Sequence, residues 1–216
     1  NVPGAALELD GTVSGTLTKR GAGTLTLGGA SGNTALDLYV AEGVALLSKS
    51  GSSAVRNITG VDTGAVVRLA GSGGNLISGS AALTGGTLDL NGLSESVGAL
   101  TSTSLASVVT NSGAAAALTV GEGDAGGTFY GSLASGSMTL TKTGTNLFAF
   151  AGAAGTQQAG AMNVSGGTMA WGTGVRFVRV RPGATRTAGS MPAMGELQLT
   201  LRGRPLAWPS GVAITA

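Results

Sequence analysis

Hydrophobic and polar positions alternate along this chain in short runs, each closed by glycine or another small polar residue. Thr16-Leu17-Thr18, Thr24-Leu25-Thr26-Leu27, Val66-Val67-Arg68-Leu69, Thr87-Leu88-Asp89-Leu90, Ala117-Leu118-Thr119-Val120 and Gly127-Thr128-Phe129-Tyr130 all show it. A period of two is the signature of a half-buried β-strand. Flanking Gly, Ser, Asn and Asp supply the turns. The run Ala114–Ala117 has helical composition, but Gly113 precedes it and alternation resumes after it, so it reads as strand.

One phrase occurs twice. "GTLTKRGAGTLTLGG" (15–29) returns as "MTLTKTGTNLFAFAGAA" (138–154). Leu17-Thr18-Lys19 matches Leu140-Thr141-Lys142, Gly21 matches Gly144, and Leu25 and Leu27 match Phe148 and Phe150. After one inserted residue the match continues: Leu38-Tyr39-Val40 meets Met162-Asn163-Val164, Gly43 meets Gly167, and Leu47 meets Trp171. Internal repetition is the mark of a solenoid. A single turn buries three or four apolar side chains at roughly 1.5–3 kcal/mol each. Ordering its backbone costs roughly 1–2 kcal/mol per residue, so a lone turn cannot fold. Stacked turns can, because each covers its neighbours' apolar face and pairs their backbone groups.

The pattern therefore predicts an all-β chain: a right-handed parallel β-helix of about seven or eight coils over residues 1–174, at ~20–25 residues per coil. With ~4.8 Å per coil the rod is roughly 35–40 Å long. Leu17, Leu25, Leu27, Leu88, Leu90, Leu118, Val120, Leu140, Phe148 and Phe150 are the expected core. Threonines line the outside as ladders, Gly21, Gly23 and Gly28 form corners, and Lys19 and Lys142 hold a fixed outer position. Arg20 is incidental, since its counterpart is Thr143. The bulkier Phe148 and Phe150 mark a wider coil or an end. An antiparallel sandwich has the same strand content, but 40 glycines and 4% aromatics count against it.

Charge divides the chain. Residues 1–174 hold six Lys/Arg and nine Asp/Glu, a net of −3; residues 175–216 hold six Arg and one acid, Glu196, a net of +5. This places a boundary near Gly174 and makes 175–216 a short β-rich tail. It is either part of a β-sandwich or a clasp between subunits. Its arginines, Arg176, Arg179, Arg181, Arg186, Arg202 and Arg204, form the candidate interaction surface. An anionic glycan is the expected ligand type. Nucleic acid is not expected, for no aromatic platform or groove-entering helix accompanies them. The plain reading comes first, ahead of any ligand: alternate arginines mark one solvent face of a strand, or a face that pairs with the acidic solenoid.

Candidate chemistry is sparse. The chain has no cysteine and no histidine. Thiol chemistry, disulfides and the usual general base are thus missing. There is no G-x-S-x-G elbow and no phosphate loop. "GEGDAGG" (121–127) lacks the order of the calcium nonapeptide, so Glu122 and Asp124 read as a solvated turn. Asp62 with Arg68, or Asp37 with Glu42, read as isolated surface charges rather than a lyase site. Asn57-Ile58-Thr59 and Asn163-Val164-Ser165 match the glycosylation sequon at a frequency that chance explains. No enzyme activity, metal or cofactor is expected. No run reaches the ~18 apolar residues of a membrane span. Asn1-Val2-Pro3-Gly4 has no leader-like pattern, which reads as a mature or excised segment.

The words themselves resemble a family. "GTLTKRGAGTLTLGGASGN", "GGTLDLNGLSESVGAL" and "VVTNSGAAAALTVGEGDAGGTFYGSLASGSMTLTKTG" follow one another in the order found in autotransporter-associated β-strand repeats. The similarity covers residues 5–174. It implies a parallel β-helix outside a bacterial cell, serving as spacer, stalk or adhesin shaft, with no catalytic residues to transfer. The tail faintly resembles the opening of a discoidin-like sandwich, through Arg176–Val180 and Glu196–Leu199, but 42 residues are too few for a whole one. Two functions follow as expectations. One is an extracellular structural segment of a surface protein. The other is a self-assembling filament subunit that stacks head to tail.

Overall fold

The computed structural model describes residues 5–152, 159–171, 175–177, 200–201 and 204–205. Strands coil in parallel into a β-solenoid of about eight turns. Each turn visits three faces in the same order. The first face carries seven strands: Ala6–Leu9, Thr24–Leu27, Val44–Leu47, Val66–Leu69, Thr87–Asp89, Val108–Thr110 and Ser132–Leu133. The second carries Glu95–Val97, Ala116–Val120, Met138–Lys142 and Ala161–Val164. Earlier coils cross this face with one isolated parallel bridge, Val55 to Ile77.

The third face begins with Gly15–Lys19, Leu36–Val40, Asn57–Val61, Ala81–Leu83 and Leu100–Ser102. It continues with Gly127–Phe129, Leu147–Phe150 and Thr168–Trp171 as a separate ladder. Among the described residues Val175–Phe177 comes next and pairs antiparallel with Thr168–Trp171.

Register fixes the core. On the first face Leu7, Leu25, Ala45, Val67, Leu88, Val109 and Leu133 align in one inward row. Leu27, Leu47, Leu69 and Leu90 are fully buried beside it. A period of two sends every second residue inward, so each row continues from coil to coil. Of the ten residues expected in the core, nine are buried. Leu17 packs against the core from the first coil and stays partly exposed. Phe129, Phe148 and Phe150 meet edge to face, with centroids 6.5 and 4.9 Å apart. They sit in the last coils of the described solenoid. Threonine ladders are partial. Thr119 aligns with Thr141, whereas Thr16 aligns with Asp37 and Thr18 with Tyr39.

The repeated phrase is not a coil. Its first copy runs from the third face to the first, and its second copy runs from the second face to the third. First-face register steps from Ala6 through Thr24, Val44, Val66, Thr87 and Val108 to Ser132 are 18, 20, 22, 21, 21 and 24 residues. The copies lie 123 residues apart, between five and six such coils, which displaces the second by one face. What the phrase specifies is strand, corner, strand. Gly21 and Gly144 make the corner in the left-handed region, at φ 79° and 68°.

Candidate functional site

The lysines overturn an expectation. The chain has three, and all are buried: Lys19 is 9% exposed, Lys49 and Lys142 0%. Each ends an inward step: Leu17-Thr18-Lys19, Leu47-Ser48-Lys49 and Leu140-Thr141-Lys142. Being two residues from an inward leucine, each lysine points inward too. Each serves a different one of the three corners. Lys19 Nζ donates to the carbonyls of Arg20 (3.2 Å), Gly21 (2.5 Å) and Glu42 (2.9 Å). Lys49 Nζ reaches back two coils to the carbonyls of Asp10 (3.2 Å) and Gly11 (2.9 Å). Lys142 Nζ donates to the carbonyls of Thr143 and Gly144. Corners break the strand ladder and leave carbonyls without ladder partners, and an ammonium with three donors satisfies them. Burial pulls the Lys49 and Lys142 ammonium groups below the ordinary lysine range.

The acidic groups read as isolated surface charges also have partners. Asp37 binds Arg56 through two hydrogen bonds, at 3.0 and 2.5 Å, and accepts a third from Asn57 Nδ2. Its Arg56 bond, then that of Asn57, holds the carboxyl below the usual range. Asp62 accepts from Thr84 Oγ1 at 2.6 Å and from Tyr39 Oη at 2.7 Å. These bonds lower the Asp62 carboxyl and raise the Tyr39 phenol. Arg68 pairs not with Asp62 but with Asp89, at 2.8 Å. Burial opposes charge at Asp89, yet bonds from Ser112 Oγ and N, Arg68 and Asn91 N outweigh it and keep the carboxyl low. Glu42 accepts from Gly21 N at 2.8 Å. The expected solvated turn at Glu122–Asp124 is a 3-10 turn whose carboxylates bind Ser96 Oγ and Thr145 N.

Apart from the local bond of Asn91 N to Asp89, these bonds share a form. The partners lie about one coil apart, as with Asn57 Oδ1 and Ser80 N, Asn111 Oδ1 and Gly92 N, or Ser94 Oγ and Ala117 N. Polar side chains replace ladder bonds wherever the backbone of one coil cannot reach the next. Asn57, the first sequon asparagine, is one such tie and also binds Asp37. Among the described residues no three acidic side chains gather as a metal site.

Shallow depressions mark the described surface, two of them near the N-terminal coils. One, about 280 Å³, lies at the first coil between Leu7, Leu9, Leu17, Lys19 and Leu25. The other, about 460 Å³, follows a corner past Ala22, Ala41, Glu42, Gly43 and Thr63.

The candidate arginines are placed only in part. Arg176 lies in Val175–Phe177, aligned with Ala170. Arg204 opens Arg204–Pro205, which pairs antiparallel with Thr200–Leu201. Arg179, Arg181, Arg186 and Arg202, and with them the discoidin-like stretches 178–180 and 196–199, lie outside the described residues. Among the described residues no helix is long and apolar enough to cross a membrane. No family model matches the sequence, and no curated protein and no solved structure is significantly similar to it.

Proposed function

We propose that the chain is a non-catalytic structural segment displayed outside a bacterial cell, a β-solenoid spacer in a surface adhesin, stalk or matrix. The observation that carries this reading is the use of its polar side chains. Asp37, Asp62, Asp89, Glu42, Asn57 and Asn111 are engaged in bonds between coils instead of converging on a cleft. Such a design serves stiffness and length. The resemblance to autotransporter-associated repeats supports the location. An antibody against residues 5–171, applied to intact cells of the source organism, tests it. Surface labelling that protease shaving removes is expected. Signal only after lysis defeats the reading.

A second reading rests on the first coil. Among the described residues Ala6–Leu9 and Gly15–Lys19 are the outermost strands of their sheets, and Leu7 is 58% exposed. An open strand edge recruits another chain, and a head-to-tail contact generates a fibre. In this reading the basic 175–216 segment clasps the acidic body of the next subunit. Sedimentation and electron microscopy of the concentrated protein at low salt test it. Fibres that Leu7→Lys suppresses support it, and monodisperse short rods defeat it. An anionic glycan is the ligand that the six arginines would take. Salt-sensitive retention on a heparin column, lost when all six become Gln, is the expected result.

A further inference from the structure

Asn91-Gly92 is the one Asn-Gly pair in the sequence. It makes the tight turn that follows Thr87–Asp89, the first-face strand of the fifth coil. Both residues have positive φ, 50° and 82°, and Leu93 N donates across the turn to the Leu90 carbonyl at 2.9 Å. Two positive φ values are the signature of a type I′ turn, for which Asn-Gly is a favoured pair. The same pair is chemically fragile. Asparagine is thermolabile, and glycine has no side chain to shield its nitrogen. Gly92 N attacks Asn91 Cγ. A C–N bond forms, the bond to Nδ2 breaks, and ammonia leaves with the Gly92 proton. Water then opens the succinimide ring at either carbonyl, giving aspartate or isoaspartate.

We propose that Asn91-Gly92 is a spontaneous deamidation site that the neighbouring coils hold shut, so that its conversion records opening of the stack at this corner. Both reacting groups are engaged while the stack is closed. Gly92 N donates to Asn111 Oδ1 in the following coil at 2.6 Å. Asn111 is 6% exposed, and its Nδ2 is anchored by the Ala114 carbonyl at 2.6 Å and by Ser137 Oγ at 3.0 Å. Asn91 Nδ2 donates to the Leu69 carbonyl in the preceding coil at 2.9 Å, and Ser112 Oγ lies 3.5 Å from Asn91 Oδ1. The leaving group is drawn to one coil and the attacking nitrogen to the other. Gly113 closes over the pair, since even a Cβ there would come within 2.5 Å of Asn91 C and Gly92 N. Attack needs the Gly92 N–H released and the Asn91 side chain turned, and both require the coils to part. Closing does not undo the reaction. An aspartate at position 91 has no donor for the Leu69 carbonyl, and it adds charge beside Asp89, whose Oδ1 accepts from Asn91 N and Ser112 N. Isoaspartate lengthens the backbone inside the turn.

Peptide mass mapping reads the site in the intact protein, held at mildly alkaline pH in native buffer or in urea that unfolds it. In urea Asn91 should convert before any other asparagine, to a mixture of aspartate and isoaspartate. In native buffer its conversion should be slower by roughly tenfold or more. The slowing should be no smaller than the hydrogen-exchange protection of the Gly92 amide, because both events need that N–H freed. Asn111→Ala removes the acceptor of Gly92 N and should speed conversion severalfold in native buffer while leaving the urea rate unchanged. Ser137→Ala only loosens Asn111, so it should speed conversion less, and it preserves the test if Asn111→Ala fails to fold. Equal rates in native buffer and urea overturn the proposal. So does another asparagine converting first in urea, or a native rate that neither variant moves.

Discussion

The two copies of the repeated phrase make the same corner in different settings. The first, around Lys19 and Gly21, lies in the outermost coil of its sheet, and the second, around Lys142 and Gly144, lies within the stack. In both an inward lysine binds the carbonyls of the next two residues, and a glycine in the left-handed region turns the chain. Their supports differ. Gly21 N is taken by Glu42 from the following coil, whereas Thr145 N is taken by Asp124 from the preceding one. Lys142 has coils on both sides, Val120 before it and Val164 after it. The shared part is what a corner needs, and the rest is supplied by whichever coil is adjacent.

Breaking the lysine gives the largest expected contrast. Lys142→Ala removes a buried ammonium, leaves the Thr143 and Gly144 carbonyls without it, and opens a cavity between Val120 and Val164. A loss of about 3 kcal/mol is expected in denaturant unfolding. Lys19→Ala should cost less, about 1 kcal/mol, since among the described residues Lys19 aligns with a coil on one side only, at Val40, and leaves a smaller cavity. Equal losses at both positions would remove the idea that burial sets the value of the corner lysine.

Glycine replacement comes next. A Cβ on Gly144 would run into the Gly121 carbonyl oxygen and come within 3.0 Å of the Asp124 carboxylate, at a φ that L-residues avoid. Gly144→Ala should lower stability by about 2 kcal/mol. The same change at Gly15, φ 82° with open space around it, isolates the conformational cost alone, about 1 kcal/mol.

A smaller effect separates the two halves by pH. Coils near the first copy lean on the Asp37, Asp62 and Asp89 carboxylates, all held below their ordinary value by hydrogen bonds. Their contribution is present above pH 3.8 and fades as pH falls through the depressed values. Between pH 4 and 2.5, exchange protection should therefore fall further in 36–61 than in 138–164.

Much of this was written in the sequence. Strand alternation and stacking logic lead to a parallel solenoid, because period two and glycine corners are local signals that tertiary contacts here reinforce. The unit of repetition was harder to read. A phrase that satisfies a corner fits any of three corners, and nothing local says which face it leaves. The inward lysines were legible in part. Lys19, Lys49 and Lys142 keep the parity of Leu17, Leu47 and Leu140, but the usual preference of lysine for water points the other way. Glu95 keeps the parity of Val97 in the same manner. Pairings such as Arg68 with Asp89 depend on register, which runs of similar small residues do not fix.

The smallest expected effect is at Arg20, where the copies differ in sequence. Its counterpart is Thr143, so Arg20→Thr installs the second copy's residue in the first. Arg20 is exposed, and only its backbone carbonyl takes part in the corner, as an acceptor for Lys19 Nζ. Its charge is the last influence on Asp62, after Thr84, Tyr39 and burial. The variant should unfold within about 0.5 kcal/mol of the parent at neutral pH. The reciprocal Thr143→Arg is a sharper probe. Thr143 Oγ1 donates to the Val120 carbonyl at 3.3 Å, and arginine cannot reproduce that tie. If Thr143→Arg were as neutral as Arg20→Thr, this position would be free at both corners. A cost near 1 kcal/mol at Thr143 alone would show that neighbouring coils, and not the phrase, decide which residues of the corner matter.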